Sequence, residues 1–424
     1  MPFRGWESVT VPGAVSSWVA LSEKFGKLPF ARLFEPAVKY AETGFPVSPI
    51  IASLWHIAGQ QLGAQPGFAD TFLPDGRAPV AGEYFTSPGH ARTLKLIAET
   101  KGKAFYEGEI AEEIAAFAAQ HNAALTVDDM AAHTFDWCGT ISRSFDTVTL
   151  HEIPPNGQGI AALMALGILS HTAIRDLDAD DPQALHLQIE AMKLALSDAE
   201  TYVADPRAIS DTTIDAMLDD GYLATRARQI DPDRATDTQA GAPKHGGTVY
   251  LSAADASGMM VSFIQSNYAG FGSGVVVPGT GVALQNRGAG FSLDPASQNH
   301  VGPGKRPFHT IIPGFLMKDD APLMSFGVMG GSMQAQGHVQ MTLRTELFGQ
   351  DPQMAVDAPR WRITQGLGVS CESSMPEATT DRLRAMGHAV SLDAFDDAFG
   401  FGGAQLIRRL PDRGYVAGSD PRKD

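Results

Sequence analysis

Two strand-like runs, Thr248 to Ala254 and Met259 to Ser266, are joined by Asp255-Ala256-Ser257-Gly258. A short loop that turns on a left-handed glycine closes an antiparallel hairpin. With Gly258 in that position, Asp255 pairs with Met259. Counting back along both strands then sets Leu251 opposite Phe263 and Thr248 opposite Ser266. Cross-strand Cβ atoms lie about 5 Å apart, so two hydroxyls meet on one face of the hairpin. A slip of one residue would separate them.

The first strand is preceded by Lys244-His245-Gly246-Gly247, so its opening threonine comes directly after two glycines. This layout suggests a precursor that cuts itself at Gly247–Thr248. A threonine freed this way carries a hydroxyl nucleophile and an α-amine base on one residue. The unperturbed amine pKa of about 7.7–8.0 leaves part of it neutral near physiological pH. Most Gly-Gly-Thr runs are only a turn entering a strand, so the glycine motifs downstream carry the weight.

Phe271-Gly272-Ser273-Gly274 and Gly279-Thr280-Gly281 bracket a short valine strand. Gly327-Val328-Met329-Gly330-Gly331-Ser332 precedes a helix-compatible run from Met333 to Leu347. Backbone N–H groups at a glycine turn before a helix can hold a developing oxyanion. An isolated Gly-Gly-Ser, however, is more often an ordinary turn.

The half before residue 240 reads mainly helical. Ile110, Ile114 and Phe117 follow amphipathic spacing within Gly108 to Gln120, as do Leu185, Ile189, Met192 and Leu196 in the segment leading to Tyr202. The turn Pro154-Pro155-Asn156-Gly157-Gln158-Gly159 opens onto Ile160 to Leu169, apolar on nearly every side and so expected to be buried against a sheet. With 424 residues and 44% hydrophobic content, the chain can build a large core as one elaborate domain or two subdomains. A net charge of -16 argues against nucleic acid or an anionic membrane as partner. Cys138 and Cys371 form neither a metal-ligand pair nor a disulfide framework. No apolar run reaches the length of a membrane span, and Met1-Pro2-Phe3-Arg4-Gly5-Trp6 lacks the layout of a signal peptide, so a cytoplasmic location is expected.

Gly247-Thr248 with Ser252 and Asp255, Phe271-Gly272-Ser273-Gly274, Leu284-Gln285-Asn286, Gly302-Pro303-Gly304-Lys305-Arg306-Pro307, Gly330-Gly331-Ser332 and Ala358-Pro359-Arg360 succeed one another in order. Together they resemble the small subunit of the γ-glutamyltranspeptidase family. Upstream, Val11-Pro12-Gly13-Ala14-Val15, Ala104-Phe105-Tyr106-Glu107-Gly108 and the Pro154-Pro155 turn resemble its large subunit. The resemblance implies an α+β fold, the four-layer αββα sandwich of N-terminal-nucleophile hydrolases. Residues 1–247 would be the large-subunit-like part and 248–424 the small-subunit-like part. It also implies Thr248 as nucleophile, Ser266 as its supporting hydroxyl, and Gly330 and Gly331 as the oxyanion hole. Acyl transfer would run through an ester on Thr248 to water or an acceptor amine. A small-molecule amide is the expected substrate, with no cofactor and no metal, and a homodimer of processed heterodimers is an assembly the resemblance allows.

Three departures narrow the substrate. Gly290 stands where γ-glutamyl-binding members use an aspartate for the α-amine, Arg287 where the family usually has glutamine, and His309-Thr310 where it has two serines. A cation gained and an anion lost favour a small acid without an ammonium group. Phe263 to Tyr268 and Gln285 to Phe291 look closest to the branch of oxamate amidohydrolase and glutathione-hydrolase-like proenzymes. Arg287, His309 and Thr310 are therefore the expected substrate-binding residues, although a salt-bridging Arg287 and a structural His309 are the plain alternatives. The family's large subunit carries a helix, a core strand and a substrate-gripping arginine ahead of the segment matched by Val11-Pro12-Gly13, and none of these is found here. The sandwich is thus expected to be incomplete at its N-terminal side. Glutathione hydrolysis proper, and a non-catalytic homologue acting as a binding protein, are the alternative functions.

Overall fold

The computed structural model describes residues 1–209, 211–238, 247–393, 400–412 and 414–423. Packing divides the chain into Met1–Trp137 with Asn267–Gly290 (unit 1) and Cys138–Ser266 with Phe291–Asp424 (unit 2). The division expected at 247/248 concerns the covalent chain, a different property from packing.

Unit 1 is mainly helical: α1 (Ala14–Phe25), α2 (Glu35–Thr43), α3 (Pro49–Leu62), α4 (Phe68–Phe72), α5 (Pro88–Thr100), α6 (Lys103–Tyr106), α7 (Glu109–Gln120) and α8 (Val127–Ala131), with β1 (Phe45–Pro46) pairing β2 (Tyr84–Phe85). In α7, Ile110 and Ile114 are buried one turn apart, as the periodicity requires. The expected valine strand is reduced to a single antiparallel bridge, Val276 opposite Ala283. Leu284 N donates to Val275 O (2.9 Å) and Val277 N to Val282 O (3.0 Å) on either side of that bridge, while Val276 N turns to Pro66 O (2.9 Å), so the pairing does not extend into a ladder. They are buried all the same, which is the source of their strand-like apolar character.

Unit 2 holds strands β3 (Ile141–Phe145), β4 (Val148–Glu152), β5 (Gly247–Ala254), β6 (Met260–Tyr268, its last two residues in unit 1), β7 (Gly314–Lys318), β8 (Ala321–Met329), β9 (Trp361–Ile363), β10 (Gly368–Glu372), β11 (Ala389–Asp393), β12 (Gly403–Arg409) and β13 (Tyr415–Ser419). Its helices are α9 (Gly159–Leu169), α10 (Pro182–Tyr202), α11 (Asp211–Leu218), α12 (Asp220–Ala227), α13 (Met333–Thr342), α14 (Pro352–Asp357) and α15 (Glu377–Ala385). Six strands form an antiparallel sheet in the order β13-β12-β8-β7-β4-β3. A small sheet β11-β10-β9 stands apart from it.

The large sheet has two covered faces. Leu150, Leu316, Phe326 and Val328 belong to the apolar core shared with α9, α10 and α13. All eleven residues of α9 are buried, as a helix apolar on every side demands. At the alternate positions of β8, Ser325 and Gly327 meet the β5–β6 hairpin. Helices, sheet and hairpin thus form three successive layers within unit 2. The hairpin turns as the sequence indicates: Gly258 has φ 92°, and Asp255 N donates to Met259 O at 3.0 Å.

Candidate active site

Strand β5 alternates cleanly. Val249 and Leu251 are 61% and 44% exposed, whereas Thr248 and Tyr250 on the other face are buried. Ser252 Oγ donates to Ser325 O at 3.3 Å, and a Cβ on Gly327 would come within 2.4 Å of the Tyr250 ring. The inner face of β5 therefore runs antiparallel over β8, with residue 252 above 325 and 250 above 327. One further step brings Thr248 level with Met329, the last residue of β8. Gly330 and Gly331 come immediately after. Thr248 Oγ1 donates to Ser266 Oγ at 3.0 Å, the side-by-side hydroxyls expected from the hairpin register. Tyr250 supports this face with its hydroxyl 2.8 Å from Ser262 Oγ, and burial pushes its phenol pKa upward.

Gly330 and Gly331 have φ of 138° and 61°, and a Cβ at Gly330 would lie 2.9 Å from Gly402 Cα. No other residue fits this backbone without strain. Their carbonyls turn toward the helix beyond them: Gly330 O accepts Met333 N (3.1 Å) and Gly331 O accepts Gln334 N (3.2 Å). All ten residues of α13 are buried, so its N-terminal partial positive charge acts in a site shielded from water. The helix expected over Met333 to Leu347 is α-helical to Thr342 and widens into a π turn over Leu343–Leu347.

Gln158, which no sequence motif marks as functional, ties this turn to His309 and Thr310. Its Nε2 donates to Thr310 O (2.7 Å) and to Gly331 O (2.8 Å). Its backbone N donates to His309 O (3.0 Å), while His309 N donates to Asn156 O (2.9 Å). The His309 ring accepts Ile311 N at 3.3 Å through Nδ1, in keeping with the structural alternative, and Thr310 is 2% exposed. The Pro154-Pro155 turn is visible in the sequence, but nothing local marks its glutamine as a bridge between two distant segments.

Arg287 lies in unit 1, at the start of a 3-10 turn Arg287–Gly290. It is 5% exposed, and its guanidinium carbon sits 4.7 Å from the centre of the Tyr268 ring. Burial pushes its pKa down to about 9. The neighbouring motif residues fix the first ten residues of the chain. Gln285 Nε2 donates to Thr10 O (2.7 Å) and Asn286 Nδ2 to Phe3 O (2.8 Å).

One group among the described residues has the composition of a metal site: His186, Glu190 and His388, whose ligand atoms lie within 4.8 Å of one another. Its present bonding opposes a cation. The facing ring nitrogens of His186 and His388 share a hydrogen bond of 2.8 Å, and Glu190 is held by Lys193 Nζ (2.8 Å) and Thr236 N (3.0 Å). A divalent ion would have to break the first bond and sit beside a buried ammonium. Burial, with Lys193 and His186 adding to it, pushes the His388 pKa down to about 3, so its ring is neutral.

Residues 1–424 match the family model described as Gamma-glutamyltranspeptidase. The oxamate amidohydrolase proenzyme of Klebsiella pneumoniae is 37% identical, the match covering 100% of this chain and 81% of that protein. The glutathione hydrolase-like YwrD proenzyme of Bacillus subtilis is 35% identical, with the same shares of each chain covered. Among solved structures, a cephalosporin acylase from Bacillus halodurans superposes with a TM-score of 0.93 at 44% identity, over 100% of this chain and 78% of its own. The fold is thus the αββα sandwich of the N-terminal-nucleophile hydrolases, and its second sheet holds two strands among the described residues. The chain belongs to the gamma-glutamyltranspeptidase family, as an enzyme of the self-processing amidohydrolase and acyltransferase type. No helix among the described residues is long and apolar enough to cross a membrane.

Proposed function

We propose that the chain cuts itself between Gly247 and Thr248 and then hydrolyses the amide of a small acid through an ester on Thr248. The observation that carries this reading is the 3.0 Å hydroxyl contact between Thr248 and Ser266 on the hairpin face that overlies the end of β8. In the mature enzyme Thr248 Oγ1 attacks the substrate carbonyl carbon and its proton passes to the freed α-amine. The oxyanion is held by the N–H groups of Gly330 and Gly331 at the head of α13. Collapse expels ammonia or an amine, which takes up that proton, and leaves the acyl ester. Water then frees the acid, or an acceptor amine takes the acyl group. The large-subunit-like part that ends at Gly247 and the small-subunit-like part that begins at Thr248 then belong to the two chains of the mature enzyme.

The substrate class we favour is an oxamate-like amide, in which a carboxylate adjoins the scissile carbonyl. Arg287 supports it as a cation suited to a carboxylate, and Gly290 supplies no anion for an α-ammonium. We assign His309 and Thr310 to substrate binding as well. We also assign the enzyme to the cytoplasm as a homodimer of processed heterodimers; the free thiols Cys138 and Cys371 favour a reducing compartment. Intact-mass measurement of the purified wild type and of Thr248→Ala tests the central claim. Two fragments that split before Thr248 are expected from the wild type and one uncut chain from the variant. An uncut wild type would sink it.

A further inference from the structure

We infer that Gln158 is a positioning residue that sets the Gly330-Gly331 turn for the oxyanion, an inference that rests on the role proposed above for those glycines. Gln158 is 1% exposed. A side-chain amide carries two N–H donors, and here both serve carbonyls of the proposed site: Thr310 O at 2.7 Å and Gly331 O at 2.8 Å. The glutamine is itself firmly seated. It stands immediately before α9, whose eleven residues are all buried, and its backbone N bonds to His309 O at 3.0 Å. Next to it, Asn156 Nδ2 donates to Pro307 O at 2.6 Å, fixing the other side of the same crossing.

The turn needs such support because glycines rotate freely. With φ of 138° and 61°, Gly330 and Gly331 have no Cβ to restrict their peptide planes, and a peptide flip would aim carbonyls where N–H groups are required. Gly331 O, on the peptide that follows the two donor N–H groups, accepts from both Gln158 Nε2 and Gln334 N, which fixes the outgoing side of the turn and with it the rotation left to Gly331. The same amide fixes Thr310 O, so one side chain sets the spacing between the glycine turn and the segment carrying His309 and Thr310. Gln158 acts through these peptides and makes no bond to the reacting atoms.

The test compares processed wild type with Gln158→Leu and Gln158→Glu, using ammonia release from oxamate and inhibition by a boronic acid, which forms a tetrahedral anion on a threonine hydroxyl. In Gln158→Leu, kcat is expected to fall roughly ten- to hundred-fold with KM nearly unchanged. Boronate affinity should fall by the same factor. In Gln158→Glu the carboxylate donates nothing, whereas its protonated form donates one hydrogen bond. Activity relative to wild type should therefore recover as pH is lowered, and this readout remains if the leucine variant does not fold. Variants with kcat within about twofold of wild type, or a loss confined to KM with boronate binding intact, overturn the positioning role. A wild type that is uncut or binds no boronate instead sinks the underlying assignment of the site.

Discussion

Thr248 donates its hydroxyl hydrogen to Ser266 Oγ across 3.0 Å at the open end of the β5–β6 hairpin. The bond holds Thr248 Oγ1 in one rotamer on the inner face, where a freely rotating side chain would sample others. A neutral hydrogen bond contributes about 0.5–1.5 kcal/mol net. Ser266→Ala should therefore lower kcat by about three- to ten-fold and slow the appearance of the two fragments. Ser266→Thr should stay near wild type. Rates of ammonia release and a mass time course measure both.

Gly330→Ala should be close to inactive while still folding. The new methyl would meet Gly402 Cα at 2.9 Å and sit on a backbone of φ 138°. Moving one oxyanion donor out of place costs about 10²–10³-fold in kcat. Steady-state kinetics beside a circular dichroism spectrum distinguish this from general unfolding; an active variant would exclude the glycine pair as oxyanion donors.

Arg287→Gln restores the residue that the resemblance leads one to expect at this position. If the guanidinium binds the substrate carboxylate, its loss should raise KM for oxamate by roughly ten- to hundred-fold, the worth of a charge-assisted hydrogen bond. Hydrolysis of a γ-glutamyl anilide should not fall in parallel. Equal losses on both substrates would assign Arg287 to packing against Tyr268 alone.

The neutral, buried His388 gives the fold an acid limit. Its folded pKa of about 3 lies below the ordinary 6.5, so between these values the unfolded chain binds a proton that the folded one refuses. The stability it contributes is complete above pH 6.5 and drains away as pH falls toward 3. The midpoint of urea unfolding should accordingly be lower at pH 5 than at pH 7. His388→Gln should flatten that slope; an unchanged slope would rule out this ring as its source.

Features written locally were legible in the sequence. The hairpin register followed from a turn residue that must adopt positive φ together with the two-residue period of its strands. The burial of α9 followed from a run apolar on every side, and that of one face of α10 from helical periodicity. The six-stranded sheet was not readable in this way, because β4 meets β7 through Thr149 and Met317, residues with no local signal that names the partner. Gln158 escaped for the same reason, since its two carbonyl partners are remote in sequence. The valines after Gly274 pair through one bridge only, so burial more than pairing accounts for their apolar character.

The antiparallel ladder joining β4 to β7 lies between segments on either side of the proposed cut. Severing Gly247–Thr248 would then leave two polypeptides woven through one sheet and one shared core, with nothing to pull them apart. Maturation on these terms is a one-way event. The interleaved arrangement is inherited from a single folded precursor, and a mature enzyme once unravelled lacks the covalent tether that first brought its strands into order.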